Sequence, residues 1–220
     1  HSPEDDIAFI KDISKYLLDH RYIKIKGKPL LIIYRPELFP NIRETVKRWR
    51  EWCRENGIGE IYLACVHSFE RTNPKKIGFD AAIDLPPIYY PLTPVNDRYM
   101  LINPNYNGRI YEYDELVNLS KSLKTPPYKK FRGICPSWDN EPRRPGRGTT
   151  IVNSTPEKYE DWLIYLCEYT EKNFEPEERF IFINAWNEWA EGAYLEPDRR
   201  YGYAYLEATW RALHKYENKP

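Results

Sequence analysis

The feature that most constrains the fold is a rhythm in which short unbroken apolar runs alternate with stretches of helical periodicity. Leu30-Leu31-Ile32-Ile33-Tyr34, led in by Gly27-Lys28-Pro29, is an apolar run of strand length. Ile61 to Val66 is a second, Phe79 to Leu85 a shorter third, Phe131 to Ser137 a fourth, and Arg179 to Trp186 a fifth. Strands that are apolar on both faces are the habit of parallel sheets covered by helices. The helices are expected between them. Residues 3–20 place Ile7, Ile10, Ile13 and Leu17 on one face behind Ser2-Pro3, an N-cap and first-turn pair. Further helices are expected over 41–56, closed by Asn56-Gly57, over 112–124, from Ser154-Thr155-Pro156-Glu157 to about Asn173, and over 202–216. Residues 86–107 are rich in Pro, Asn and Tyr and read as a long irregular excursion of the kind that builds sites.

This alternation predicts an α/β fold with a parallel sheet, as one domain over residues 1–220. The four to five strand–helix units are too few to close a (β/α)₈ barrel, which takes roughly 250 residues. The expected architecture is the C-terminal part of a TIM-type barrel, because the chain begins His1-Ser2-Pro3 without an initiator Met. An open barrel edge leads us to expect oligomer formation through unpaired strands.

Composition removes several classes of function. Lys plus Arg and Asp plus Glu each number 33, so the formal charge is zero and the basic footprint of a nucleic-acid binder is missing. No apolar run is long enough to span a bilayer, and the first residues carry no basic-then-apolar leader, so a cytoplasmic location is expected. Cys53, Cys65, Cys135 and Cys167 are too far apart for a CxxC motif and read as small buried hydrophobes. His20, His67 and His214 have no metal-ligand spacing, and no GxGxxG, Walker or GxSxG motif occurs. No metal or cofactor is therefore expected. Aromatic residues make up 15% of the chain. They serve either as core payload or as stacking surfaces for pyranose rings.

The densest chemistry lies at the end of the last apolar run, in Trp186-Asn187-Glu188-Trp189-Ala190-Glu191-Gly192, continuing to Leu195-Glu196-Pro197-Asp198. In parallel α/β sheets, ligands sit at the carboxyl ends of strands. Glu188 and Glu191 are three apart, and a helical turn would put them on one face. Two carboxylates that close push their pKa values apart, giving a proton donor and an acceptor, which is the requirement of glycosidic-bond cleavage. Trp138-Asp139-Asn140 ends another expected strand: Trp138 offers a stacking face, and Asp139 either holds a sugar hydroxyl or closes an Asx turn. Arg143, Arg144 and Arg147 form the one basic cluster, as a phosphate grip or a solvated loop. Tyr34 and Arg35 end the first run, lining the mouth or packing on the next loop. His67, also at a strand end, is a weaker candidate.

Three ordered stretches resemble the WbsX-like glycosyltransferase family, related to glycoside hydrolase family 99, the endo-α-1,2-mannosidases and mannanases. They are Asn187 to Gly192 with Leu195 to Asp198; Arg21-Tyr22-Ile23 with Gly27 to Leu30 and Tyr34-Arg35-Pro36; and Trp138-Asp139-Asn140 with Pro142-Arg143-Arg144. The resemblance implies a (β/α)₈ barrel whose N-terminal strands have no counterpart in this chain, and an oligosaccharide or polysaccharide substrate. It implies that Glu188 is the base that takes the sugar's 2-hydroxyl proton and Glu191 the acid/base toward the leaving group, through a 1,2-anhydro intermediate with net retention. Trp186, Asn187, Trp189, Glu196, Trp138, Asp139, Asn140, Tyr34, Arg35, Arg143 and Arg144 would contact substrate. Ala190 stands where the hydrolases carry His. Three functions follow as expectations: a retaining endo-glycosidase of bacterial surface polysaccharide, a glycosyltransferase of polysaccharide or O-antigen assembly, or a non-catalytic carbohydrate-binding barrel.

Overall fold

The computed structural model describes residues 2–68 and 71–217. Its contacts fall into two compact units. The first holds the residues up to Asp84 with Thr125–Phe131 and Phe174–Phe180; the second holds Leu85–Lys124, Arg132–Asn173 and the residues from Ile181 on.

The first unit begins with α1 (Pro3–Leu17). Ser2 caps it reciprocally: its Oγ accepts from the Asp5 amide at 3.2 Å and its own amide donates to Asp5 Oδ2 at 2.9 Å. The chain continues through β1 (Lys24–Ile25), β2 (Lys28–Ile33), α2 (Ile42–Glu55), β3 (Tyr62–His67) and β4 (Ala81–Asp84). β1 folds back antiparallel on β2, and β2, β3 and β4 pair in parallel in that order. β4 pairs in parallel with Lys130 and Phe131, the first residues of the strand Lys130–Ile134. Every residue of β3 and β4 is buried, as strands covered on both faces require. α1 and α2 dock through Asp6, 3% exposed, which accepts from Thr45 Oγ1 and Arg48 Nε at 2.9 Å, while Trp49 Nε1 donates to the Asp6 carbonyl. Ile10, Leu17, Ile33, Val46, Trp49, Leu63 and Phe79 fill the core between helices and sheet.

The second unit contains β5 (Arg109–Glu112), α3 (Tyr113–Ser122), the Arg132–Ile134 part of β6 (Lys130–Ile134), β7 (Trp138–Asp139), β8 (Thr149–Val152), α4 (Pro156–Asn173), β9 (Ile181–Ile183), β10 (Asn187–Glu188), β11 (Ala193–Tyr194) and α5 (Ala204–Glu217). β6 and β9 pair in parallel. A separate small sheet has the order β5-β8-β7, with β5 parallel and β7 antiparallel to β8. Its core joins Tyr113, Trp138, Tyr159, Trp162, Leu166 and Tyr205. α4 starts at Pro156, with Thr155 Oγ1 accepting from the Lys158 amide at 3.3 Å.

The fold is thus mixed α/β with parallel pairing, and the helices fall where periodicity puts them. Eight-unit closure is not seen among the described residues. Two expectations need correction. The last strand does not run from Arg179 to Trp186: Pro176–Glu178 is a 3₁₀ turn, and the strand is only Ile181–Ile183, half-buried throughout. It stops because the chain folds back, the Leu195 and Glu196 amides both donating to the Trp186 carbonyl at 2.9 and 3.1 Å. The small sheet lies outside the expected elements altogether.

Candidate active site

Glu188 and Glu191 lie in a hairpin, not in a helix. Glu188 ends β10, which pairs antiparallel with β11, and Trp189–Glu191 form one 3₁₀ turn between them. A 3₁₀ turn has three residues per turn, so positions three apart eclipse and the expected proximity arises by a different route. Gly192 closes the turn with a left-handed backbone, φ +58°. A Cβ at that position would sit 2.8 Å from the Asp139 amide nitrogen, so only glycine lets the hairpin lie this close to β7. The Ser137 hydroxyl donates to the Gly192 carbonyl and fastens the same contact.

The two carboxylates meet on one cation. Arg143 Nη1 donates to Glu191 Oε1 at 2.8 Å and Arg143 Nη2 to Glu188 Oε1 at 2.9 Å. A planar guanidinium fork bonded to two different carboxylates keeps both within one group's reach. The Glu191 carboxyl is the more enclosed of the two, its side chain 21% exposed against 39% for Glu188. Burial raises its pKa; Arg143 pulls the other way, Glu188 adds a further upward push and Arg144 a downward one, and burial prevails. The Glu191 carboxyl thus holds its proton to higher pH than an ordinary glutamate does.

Around the pair, aromatic and polar groups are fixed by their own contacts. Trp189 stacks on Tyr194, ring centroids 3.9 Å apart and planes 17° from parallel, and its Nε1 donates to Glu196 Oε2 at 2.7 Å. Trp186 is 54% exposed and Trp189 47%, large apolar faces presented beside carboxylates. Asn187 is exposed on β10. Trp138 is buried. Asp139 makes the Asx turn: its Oδ1 accepts from the Glu141 amide at 3.0 Å and from Thr150 Oγ1 at 3.1 Å. Asn140 Oδ1 accepts from the Thr149 amide at 2.6 Å. An open cleft of about 860 Å³ adjoins this face, lined by Trp138, Asp139, Pro142, Trp189, Tyr194 and Tyr201 among others. Glu188 and Glu191 are not among its lining side chains; they are turned toward Arg143.

Tyr34 and Arg35 belong to the first unit. The Tyr34 carbonyl accepts from Ser68 Oγ at 3.1 Å, Arg35 Nε donates to Glu37 at 2.9 Å, and both residues line an apolar cleft with Phe9, Ile32 and Trp49. His67, 3% exposed, donates from Nε2 to the Thr72 carbonyl at 3.0 Å and packs edge-on against Tyr128. Burial lowers its pKa, which favours the neutral ring. Tyr99, Asn153, Tyr194 and Tyr201 line the large cleft and were not among the expected site residues. Tyr194 could have been found from the hairpin reading of Gly192, and Asn153 from the readiness of Asn to take the left-handed φ of +63° that it has here. Among the described residues, no group of three or more His, Cys, Asp or Glu side chains could hold a metal ion, and no helix is long and apolar enough to cross a membrane.

The model of the glycosyltransferase WbsX family matches residues 1–209. The chain belongs to the WbsX family. The match takes in all three stretches on which the resemblance rested. Among known proteins, WbsX-family residues of this chain are 46% identical over 213 residues to uncharacterized proteins WxcX from two strains of Xanthomonas campestris pv. campestris. The alignment covers 97% of this chain and 31% of theirs, so the chain spans about a third of the length of these curated relatives. A solved glycoside hydrolase-like protein superposes with a TM-score of 0.64 at 16% identity, over 94% of this chain and 60% of that one. At that identity the likeness is one of fold.

Proposed function

We propose that this WbsX-family protein is a retaining, endo-acting glycosidase-like enzyme that cleaves α-mannose-type linkages in bacterial surface polysaccharide, with Glu188 and Glu191 as its catalytic pair. The observation that carries the reading is the shared guanidinium: two carboxylates held on one arginine, one of them driven by burial toward its protonated form.

In this reading the Glu188 carboxylate accepts the proton of the sugar 2-hydroxyl. O2 attacks C1, the bond from C1 to the glycosidic oxygen breaks, and the Glu191 carboxyl gives its proton to the departing oxygen. Glu191, now a carboxylate, takes a proton from water as that water attacks C1. The C1–O2 bond opens and Glu188 returns its proton to O2. Two displacements at C1 leave the configuration retained, and every proton is accounted for. A carboxyl raised above its ordinary value keeps its proton to higher pH, which suits the acid step. Trp186 and Trp189 supply stacking faces for the sugars on either side of the cleaved bond.

The test is an NMR time course on a panel of α-mannans and bacterial surface polysaccharides, run with the protein and with Glu191→Gln. The expected result is a new reducing-end anomeric signal, first appearing with retained configuration and absent in the variant. A signal of equal size in the variant overturns the assignment. The family's name favours a second reading, in which a sugar hydroxyl replaces water as the final acceptor. That reading requires turnover only when an activated donor is supplied.

A further inference from the structure

The turn between β7 and β8 concentrates arginines, and its own acids leave most of them unpaired. Glu141 spends its carboxylate on the amides of Gly146 and Gly148, Asp139 on the Glu141 amide and the Thr150 hydroxyl, and Asn140 on the Thr149 amide. Arg143 is taken by Glu188 and Glu191. Arg144 and Arg147 stay on the turn, linked to each other only through the backbone, the Arg147 amide donating to the Arg144 carbonyl at 2.8 Å. β5 brings a third arginine from some forty residues earlier: Arg109 is in register with Thr149, and its amide donates to the Gly148 carbonyl at 2.9 Å.

Arg109, Arg144 and Arg147 line one cleft of about 390 Å³, with Tyr111 and Trp138 among its apolar walls. Among the described residues none of the three guanidiniums is in an ion pair, and Arg144 acts on the glutamate pair only through a longer-range pull on Glu191. Three guanidiniums in one cleft repel each other until an anion joins them, and their planar forks match phosphoryl oxygens two at a time. The volume lies toward the lower end of the roughly 300–1,000 Å³ of small-ligand clefts, room for a compact polyanion with part of what it carries. Trp138 also lines the larger cleft beside the Glu188 and Glu191 hairpin, so one indole borders both.

We propose that Arg109, Arg144 and Arg147 form a diphosphate subsite that seats the phosphoryl oxygens of a phosphate-bearing glycosyl substrate. The proposal rests on the carbohydrate-active reading above, for it gives the anion its glycosyl partner. It assigns Arg143 to the carboxylates and leaves it out of the anion site. The diphosphate could be nucleotide-linked or lipid-linked, and the chemistry of the cleft is the same for both.

Isothermal titration with inorganic pyrophosphate at physiological ionic strength tests it, using the protein, R109Q/R147Q, R147Q alone and E191Q, with near-UV circular dichroism confirming folding. Saturable binding is expected in the protein, not weakened in E191Q, weakened at least about tenfold in R109Q/R147Q and by less in R147Q. A nucleoside diphosphate binding more tightly than pyrophosphate assigns the nucleotide source, and farnesyl diphosphate doing so assigns the lipid source. No saturable binding of pyrophosphate overturns the subsite, and so does equal affinity in the folded arginine variants. The titration needs neither glycan nor turnover, so its failure leaves the glutamate pair standing, and a failed glycan assay leaves the subsite standing.

Discussion

Gly192 and Gly202 have nearly the same left-handed backbone, φ +58° and +56°, in different surroundings. An added methyl at Gly202 meets nothing within 4 Å, whereas at Gly192 it lies 2.8 Å from the Asp139 amide nitrogen and 3.0 Å from Asp139 Cβ. Gly202→Ala therefore bears only the cost of a left-handed L-residue, about 1–2 kcal/mol. Gly192→Ala bears that cost and an overpacking cost of about 1–3 kcal/mol besides, because the obstacle is backbone and has no rotamer to give way. The expected losses are about 1–2 kcal/mol for Gly202→Ala and about 2–5 kcal/mol for Gly192→Ala, measured as shifts in urea midpoint at constant m. Relief at Gly192 must come from the hairpin moving away from β7, and that hairpin holds both glutamates. A displacement approaching 1 Å costs on the order of 100-fold in a positioned reaction. Glycan turnover should thus collapse in Gly192→Ala and persist in Gly202→Ala. Equal stability losses in the two variants would refute the close-approach argument.

Other outcomes follow from the same contacts. Glu191→Gln should lower turnover by about 10²–10⁴-fold if the side chain is the acid/base, checked by initial rates on the glycan that the NMR panel identifies. The raised Glu191 carboxyl stabilises the fold most below its ordinary value of 4.5 and loses that contribution as pH rises through its folded value. The urea midpoint of Glu191→Gln should accordingly fall less steeply than that of the unmutated protein over this window. Arg143→Met removes a group that pulls the Glu191 pKa down, so the alkaline limb of the activity profile should move to higher pH. Both of its ion pairs are partly exposed, and stability should change by no more than about 1 kcal/mol in the same denaturation assay. Asp6→Ala strips the buried Thr45 hydroxyl and Arg48 of their acceptor and should cost about 2–4 kcal/mol in thermal or urea unfolding.

Where the sequence was legible, the signal was local. Ser2-Pro3 announced α1, Asn56-Gly57 closed α2, and Thr155-Pro156 opened α4, because caps act over three or four residues. The apolar runs of β3 and β4 stood out because both faces are covered, and that of β2 is as apolar although Ile32 is exposed. The small sheet did not. Arg109–Glu112 and Thr149–Val152 are four residues each and mix charge, hydroxyl and apolar groups, and their pairing is parallel, which no tight turn can announce. The glutamate pair was found for an incomplete reason, since a spacing of three serves an α-turn and a 3₁₀ turn alike and Gly192 can end either. Arg143 reads with its chain neighbours as a phosphate grip or a solvated loop, and nothing local marks it as the partner of carboxylates so far along the chain.

That separation has a consequence for how the protein is made. Arg143 reaches Glu188 and Glu191 across 45 and 48 residues, and Ser137 reaches Gly192 across 55. Contacts this distant in sequence are slow to form, because the chain entropy of closing the loop is lost before the contact returns anything. During synthesis the β7–β8 turn leaves the ribosome with all its arginines exposed, and stays so while α4 and β9 are added. The carboxylates arrive only after them. The charge of the pair is therefore neutralised only when the β10–β11 hairpin docks, which makes formation of the site a late event in folding and its arginine a cation without an anion until then.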